Sequence, residues 1–499
     1  MSQVTRRRIL KGSAALAAFS PFFSACAPKP VQDSSGLTAN EFADGVRLAE
    51  LISAGELTAI DATNAAIARA EAVNPQINAI ASNAFEAARA QAEAAPDGAM
   101  GGVPTFIKDL ADWEGLPTYF GSRAFKAYQA PSDGPLAAAW RDLGVVVLGK
   151  STSPEMGLIS STEPLVTGPT RNPWNTDRIP GGSSGGAAAL AAARVVPFAH
   201  ASDGGGSIRI PAACCGLFGL KPSGRVAPIG RPSQEGGPVE ISVDLAVSNT
   251  VRDSAAIFAA TARTDALRAP VTGPGSRRLR IGFAPDPATG TSLDPEVRRE
   301  LEATAALCAD LGHEIKDVTL PIDGPKFSDS FLLYWSAGAA QFVADAAAFA
   351  GQPPSPEILE PWTLFLAQNF QARQDELPAT IAYLQGFIAE YAAMFETLQM
   401  DVLLTPTVAS PAPPIGSQDP AGDPQTTYDN VLTFAAFTAP MNVAGAPSMS
   451  VPLGESQDGL PIGSMFSARK GEDRMLLELA YELEAAKPWI GRRPPVIAT

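Results

Sequence analysis

Residues 181–193 read Gly-Gly-Ser-Ser-Gly-Gly-Ala-Ala-Ala-Leu-Ala-Ala-Ala, and few folds can use such a stretch. Alanine is the strongest helix former, and glycine leaves no Cβ to hold neighbouring backbone away. The pattern predicts a helix over 185–193 that lies very close to its neighbours. Short apolar runs surround it, at 103–107, 145–148, 195–199 and 217–220, punctuated by Gly and Pro. They lack the alternation of a half-exposed strand and read as buried strands. Together these features predict an α/β fold, a single large domain with a central twisted mixed β-sheet flanked on both faces by α-helices.

The rest of the chain fits that frame. Phe42, Val46, Leu48, Ala49 and Ile52 recur at three- and four-residue spacing until Gly55, and alanine-rich sequence continues to Pro96, so 38–95 is expected to be helical. Residues 325–400 are low in glycine and rich in aromatics, among them Phe331, Tyr334, Trp335, Phe365, Phe370, Tyr383, Phe387 and Tyr391. This region reads as helical, with most rings packed internally and a few lining a pocket. Strand texture returns at 402–407, 447–452 and 460–463, and an amphipathic helix closes the chain at about 473–484. No Ser- or Gly-rich linker divides the chain, so one domain is expected over 37–495.

Residues 1–25 stand apart. Arg6-Arg7-Arg8 precedes a modest apolar run that Pro21 interrupts, the order of a twin-arginine export signal rather than a membrane span. Residues 26–36 read as a linker. Cys26 after Phe23-Ser24-Ala25 matches a lipoprotein processing site, which would anchor the mature chain to a membrane. Ala25-Cys26-Ala27 also spells an A-x-A cleavage site, although Pro28 is unfavourable there. The expected location is periplasmic, or membrane-anchored on the extracytoplasmic side. The formal charge of −15 becomes −19 once the four cations of residues 1–25 are removed, and a surface so acidic disfavours nucleic acid as a partner. Cys214, Cys215 and Cys308 form no disulfide framework, and no metal-ligand spacing occurs, so neither metal nor cofactor is expected. Nothing in the sequence specifies an oligomeric state.

Three familiar spellings mislead. Residues 144–151 match the P-loop pattern, but the residues between its glycines are Val-Val-Val-Leu, a strand and not a phosphate-cradling loop. Residues 182–186 match G-x-S-x-G, which would make Ser184 a nucleophile, yet His313 is the one later histidine at a sensible distance and its context is a helix stop followed by a strand. Ser467-Ala468-Arg469-Lys470 spells S-x-x-K without the K-T-G that accompanies it in penicillin-binding enzymes. His200, at the end of an apolar run, reads as a satisfied core or edge histidine.

The chemistry lies in two glycine-rich loops that each present a serine, 181–186 and 203–209. Glycines around a serine let backbone N–H groups converge where an oxyanion would form. A serine nucleophile still needs a base, and with only two histidines in the chain lysine becomes the suspect. At this point the sequence resembles a known family. The segments 102–109 (ending Ile107-Lys108-Asp109), 168–175, 180–186 and 203–222, with 404–407, 442–445 and 459–463 behind them, are similar in type and order to the amidase signature family over about 37–489. The resemblance implies hydrolysis of a small carboxylic amide through an acyl-enzyme, with a small-molecule amide as partner. It assigns Lys108 as base, Ser183 as proton relay, commonly after a cis peptide bond, and Ser207 as nucleophile. The interval of 24 residues between the serines is the family's usual one.

By the same resemblance Gly204, Gly205 and Gly206, with Ser207, supply the oxyanion N–H groups, Ser184, Asp203 and Arg209 brace the loops, and Gly157 belongs to the wall of the acyl pocket. Gly204 stands where many members carry Thr or Ile, a variant that resembles bacterial amidases of the 6-aminohexanoate cyclic dimer hydrolase and peptide amidase group. A lysine acts as a base only when burial favours its neutral form, and Phe106, Ile107 and Leu110 are apolar enough for that. The motifs alone also permit a glutaminase-type amidotransferase subunit or a non-catalytic binding protein on the same scaffold. The export signal and the retained Lys108, Ser183 and Ser207 weigh against both.

Overall fold

Among the described residues, eleven strands build two sheets. In a computed structural model, residues 36–228, 230 and 236–498 are described, and they belong to one compact unit. The expected export signal, Cys26 and nearly all of the expected 26–36 linker lie outside the described residues. The strands are β1 (Ile80–Asn83), β2 (Pro104–Lys108), β3 (Val146–Ser151), β4 (Phe198–Asp203), β5 (Phe218–Lys221), β6 (Val243–Ser248), β7 (Arg280–Phe283), β8 (Glu314–Asp317), β9 (Val402–Pro406), β10 (Ser448–Glu455) and β11 (Pro461–Ser467).

Eight of them form a mixed sheet in the order β4-β6-β5-β10-β11-β9-β7-β8, antiparallel except for the β9-β7-β8 end. Helices Gly185–Ala192, Arg209–Cys215, Val251–Thr261, Pro295–Asp310 and Asp473–Ala486 pack against it. The other three make a small sheet, β1-β3-β2, with β2 parallel to β3. The expected strands at 103–107, 145–148 and 217–220 are thus present, and residues 146–151, the false P-loop, are a buried strand. The single-sheet expectation needs amendment, because β2 and β3 belong to the smaller sheet.

Two further segments differ. Residues 80–83 fall in the region read as helical but pair with β3. Helix Ala59–Ile77 stops at Asn78, whose left-handed φ of 47° turns the chain, and pairing with a distant strand then decides the outcome. The run at 195–199 is displaced: β4 begins at Phe198, after Pro197, and continues through His200-Ala201-Ser202-Asp203. Polar residues buried in this terminal strand of the sheet disguised it.

The two sheets meet along β2 and β4 without a backbone ladder between them. Thr105 Oγ1 donates to Phe198 O at 3.0 Å, Lys108 N donates to His200 Nδ1 at 3.2 Å, and Lys108 Nζ donates to Ser202 Oγ at 2.9 Å. Alternate residues of β4 therefore receive side chain or backbone from β2, as the two-residue period of a strand requires.

The alanine- and glycine-rich helix Gly185–Ala192 is wholly buried. A Cβ on Gly186 would lie 2.4 Å from Thr152 N and 2.7 Å from Thr152 O, backbone that cannot yield. Gly386, inside helix Leu377–Thr397, has nothing within 4 Å of a Cβ. Gly186→Ala is expected to lower the thermal midpoint, with an overpacking penalty of about 1–3 kcal/mol. Gly386→Ala should raise it slightly, by about 0.5–1 kcal/mol of stability. Thermal unfolding of both variants beside the parent checks the close-packing account; equal effects would refute it.

Candidate active site

Lys108 ends β2, fully buried, and its Nζ donates to Ser183 Oγ at 2.8 Å and to Ser202 Oγ at 2.9 Å. Ser183 follows a cis Gly182–Ser183 peptide in the loop ahead of helix Gly185–Ala192. Ser184 Oγ donates to Ser202 O at 3.2 Å and accepts from Ser202 N at 3.3 Å, so it ties the first serine loop to β4. Ser183 and Ser207 open onto one cavity, together with Ser202 and Gly204. The structure thereby gathers Lys108, Ser183 and Ser207 from three distant segments, and adds Ser202, which the sequence reading did not single out.

The loop bearing Ser207 is held from behind. Asp203 Oδ1 accepts from Gly206 N at 2.8 Å, and Oδ2 accepts from Ile208 N at 3.1 Å. Arg209 Nε and Nη2 donate to the two Asp203 oxygens at 3.0 and 2.9 Å, with both side chains fully buried. Asn442 completes the brace: it accepts from Arg209 Nη2 at 2.6 Å and donates to Asp203 O and Oδ1 at 3.0 and 2.8 Å. Burial alone would raise the Asp203 carboxyl, but the Arg209 guanidinium reverses this, helped by Lys221 and Asn442, and holds it well below the usual carboxylate range. Thr438 Oγ1 donates to Gly205 O. Thr438 and the role of Asn442 were not legible in the sequence, since each acts across more than 200 residues.

One expectation changes. Gly206 was grouped with the oxyanion donors, but its single N–H is directed at Asp203. Gly206 serves instead as a bend: its φ is +140°, and a Cβ there would lie 2.4 Å from Thr438 Oγ1. Among the described residues, the N–H groups of Gly204, Gly205 and Ser207 have no protein acceptor. Gly204 and Gly205 face the rings of Trp335 and Phe331, which a Cβ would meet at 3.1 and 3.3 Å.

His200 is bonded on both ring nitrogens. Because Nδ1 accepts from Lys108 N, the ring proton sits on Nε2, which faces Asp244 Oδ1 at 2.9 Å. Burial pushes the imidazole below its ordinary value against the pull of Asp244, so the ring is neutral at pH 7. It acts as a strut between β2 and β6. His313 is buried against Glu482, far from the serine loops in the fold's element order, which agrees with a packing role.

Gly157 lines two cavities that meet at Ser207. One, of 140 Å³, is walled chiefly by Phe327, Phe331, Trp335, Trp362 and Val431. The other, of 290 Å³, is more polar and is reached by Ser183, Ser202, Ser242, Asp244 and Tyr334. Gly157, Leu158, Ser207 and Trp335 belong to both.

A polar crevice with a buried lysine, three hydroxyls and backbone N–H groups left without protein acceptors suits acyl transfer. The amidase family model matches residues 61–477, most of the chain. The chain belongs to the amidase signature family. It is 42% identical to a Mycobacterium tuberculosis (strain ATCC 25618 / H37Rv) protein named "Putative amidase AmiC", over 91% of this chain and 97% of that one. It is 34% identical to the 6-aminohexanoate-cyclic-dimer hydrolase of a Pseudomonas sp. (strain NK87), over 91% and 97% of the two chains. Among solved structures, 6-aminohexanoate cyclic dimer hydrolase complexed with substrate superimposes with a TM-score of 0.84 at 31% identity, covering 92% of this chain and all of that one. The chain is therefore an amide hydrolase with a single α/β domain.

Gly157 offers a sharp test of this amidase site. Its φ is +74°, and a Cβ would come within 2.8 Å of Leu110 Cδ1 and 3.0 Å of Ser183 Oγ. Gly157→Ala is expected to cut amidase kcat about tenfold or more, because small displacements of reacting groups are costly, with a thermal midpoint within a few degrees of the parent. Unchanged kcat would show that the Ser183 position tolerates the intrusion.

Proposed function

We propose that the protein hydrolyses a linear amide through a Ser207–Ser183–Lys108 relay. The observation that carries this reading is the buried Lys108 Nζ at 2.8 Å from Ser183 Oγ, with Ser183 and Ser207 on one cavity wall. Ser207 Oγ attacks the amide carbon while its proton passes to Ser183 and the Ser183 proton passes to the neutral Lys108 amine. The oxyanion is held by the N–H groups of Gly204, Gly205 and Ser207. Collapse breaks the C–N bond as Ser183 returns a proton to the leaving nitrogen and recovers one from Lys108. Water then attacks the acyl-enzyme by the same relay run again.

Lys108→Ala, Ser183→Ala and Ser207→Ala are each expected to lower kcat/KM on a linear amide by about 10³-fold or more. The active lysine is the neutral one, so the parent's kcat/KM rises with pH and falls as Lys108 takes up a proton. The residual rate of Lys108→Ala should lack that limb. Turnover undiminished in Ser207→Ala would remove the mechanism.

The enzyme is proposed to act after export, a reading supported by Arg6-Arg7-Arg8 ahead of the apolar run and by the acidic mature composition. In cell fractionation the full chain should accumulate outside the cytoplasm, and conversion of Arg6, Arg7 and Arg8 to Lys should retain it inside. Cys26→Ser should move activity from the membrane to the soluble fraction if Cys26 carries the anchor; no shift would leave cleavage without an anchor.

A further inference from the structure

The two cavities that meet at Ser207 differ in chemistry, and Trp335 is the one ring among the four residues that line both. Helix Gly324–Ala350 lays Trp335 and Phe331 against Gly204 and Gly205 of the second serine loop. Phe327, Phe331 and Trp335 on this helix stack in sequence, with ring centroids 6.1 and 5.6 Å apart, and face the 140 Å³ cavity. Tyr334 and Gly338 face the 290 Å³ cavity, where Ser183, Ser202, Ser242 and Asp244 also lie. Trp335 borders both. Its indole Nε1 donates to Leu158 O at 3.2 Å, the same carbonyl that Trp362 Nε1 reaches at 3.1 Å. Two indoles thus pin the Gly157-Leu158 wall, and the ring of Trp335 rests over Gly204.

Proton transfer decides which half of an amide enters which cavity. Ser183 reaches the polar cavity and does not line the aromatic one. On the relay reading above, Ser183 protonates the leaving nitrogen, so the amine must depart on the Ser183 side. The acyl chain then points the other way, into the aromatic cavity. Ammonia would leave the polar cavity unfilled by the substrate, whereas an amine substituent would occupy it. A compact ring would need both arms on one side of Trp335.

We propose that the substrate is an open-chain, N-substituted amide, with an apolar acyl group in the aromatic cavity, a polar amine substituent in the other, and the Trp335 indole as the wall between them. This rests on the Ser207–Ser183–Lys108 reading and adds substrate class and a specificity-determining residue to it.

Turnover and binding separate the two claims. The probes are N-(2-hydroxyethyl)hexanamide, its acetamide counterpart, hexanamide, and the cyclic dimer of 6-aminohexanoate. For the parent protein, kcat/KM for N-(2-hydroxyethyl)hexanamide should exceed that for the acetamide by about 100-fold, from four methylenes leaving water. It should exceed that for hexanamide by about tenfold. Trp335→Ala should collapse the hexanoyl-over-acetyl ratio to below about tenfold and improve the cyclic dimer relative to the open chain. Trp335→Phe keeps a ring without the Leu158 bond and should retain most of the ratio. Hexanoate and acetate binding to Ser207→Ala, followed by calorimetry, reads the aromatic cavity without any chemistry, and hexanoate should bind at least tenfold tighter. Equal binding of the two acids, or acyl selectivity unmoved in Trp335→Ala, overturns the proposal even if Ser207 is confirmed as nucleophile. Turnover that persists in Ser207→Ala overturns the relay, while the acid-binding result still judges the aromatic cavity.

Discussion

The site depends on the seam where β2 of the small sheet meets β4 of the large one. Backbone ladders hold each sheet together internally, but across this seam the bonds come from Thr105, His200, Ser202 and Lys108. A buried lysine is costly unless its nitrogen is hydrogen-bonded. Placing Lys108 Nζ between Ser183 Oγ and Ser202 Oγ answers that need with two neutral hydroxyls. The same placement is what a proton relay needs. His200, bonded to Lys108 N and to Asp244, then fixes the strand that carries the lysine, and does so as a neutral ring that adds no charge to the crevice.

The second loop is organised by charge. Asp203, Arg209 and Asn442 form a closed, buried network in which the Asp203 carboxylate engages the N–H groups of Gly206, Ile208 and Arg209. Those N–H groups are thereby withdrawn from substrate. Gly204, Gly205 and Ser207 keep theirs, so the brace also selects which donors face the cavity. A buried ion pair of this kind contributes little net stability compared with apolar packing. Its value here is geometric, since it sets the turn that presents Ser207.

Much of this was legible in the chain. The Ala/Gly helix at 185–193, the buried strands β2, β3 and β5, the helical region from 325 to 400 and the rejection of the P-loop at 144–151 all rest on local pattern, and local pattern decides them. Lys108, Ser183 and Ser207 came from family resemblance, and the structure brings them together. What escaped was set by tertiary contact. β1 exists because it pairs with β3, β4 because it pairs along its length with β6, and the loss of Gly206 as an oxyanion donor because Asp203 folds back on it. The aromatic residues of 325–400 divide as expected between core and pocket, but that Trp335 separates two cavities follows only from the placement of helix Gly324–Ala350 over the glycine loops.

The most direct test of the central claim, that Lys108 activates Ser207 through Ser183, is covalent labelling by a fluorophosphonate followed by peptide mass spectrometry across a pH series. The account predicts one phosphonylated residue, Ser207, labelled faster as pH rises, with labelling lost in Lys108→Ala. Modification at Ser183 or Ser184, or labelling of Ser207 at the parent rate in Lys108→Ala, would contradict it.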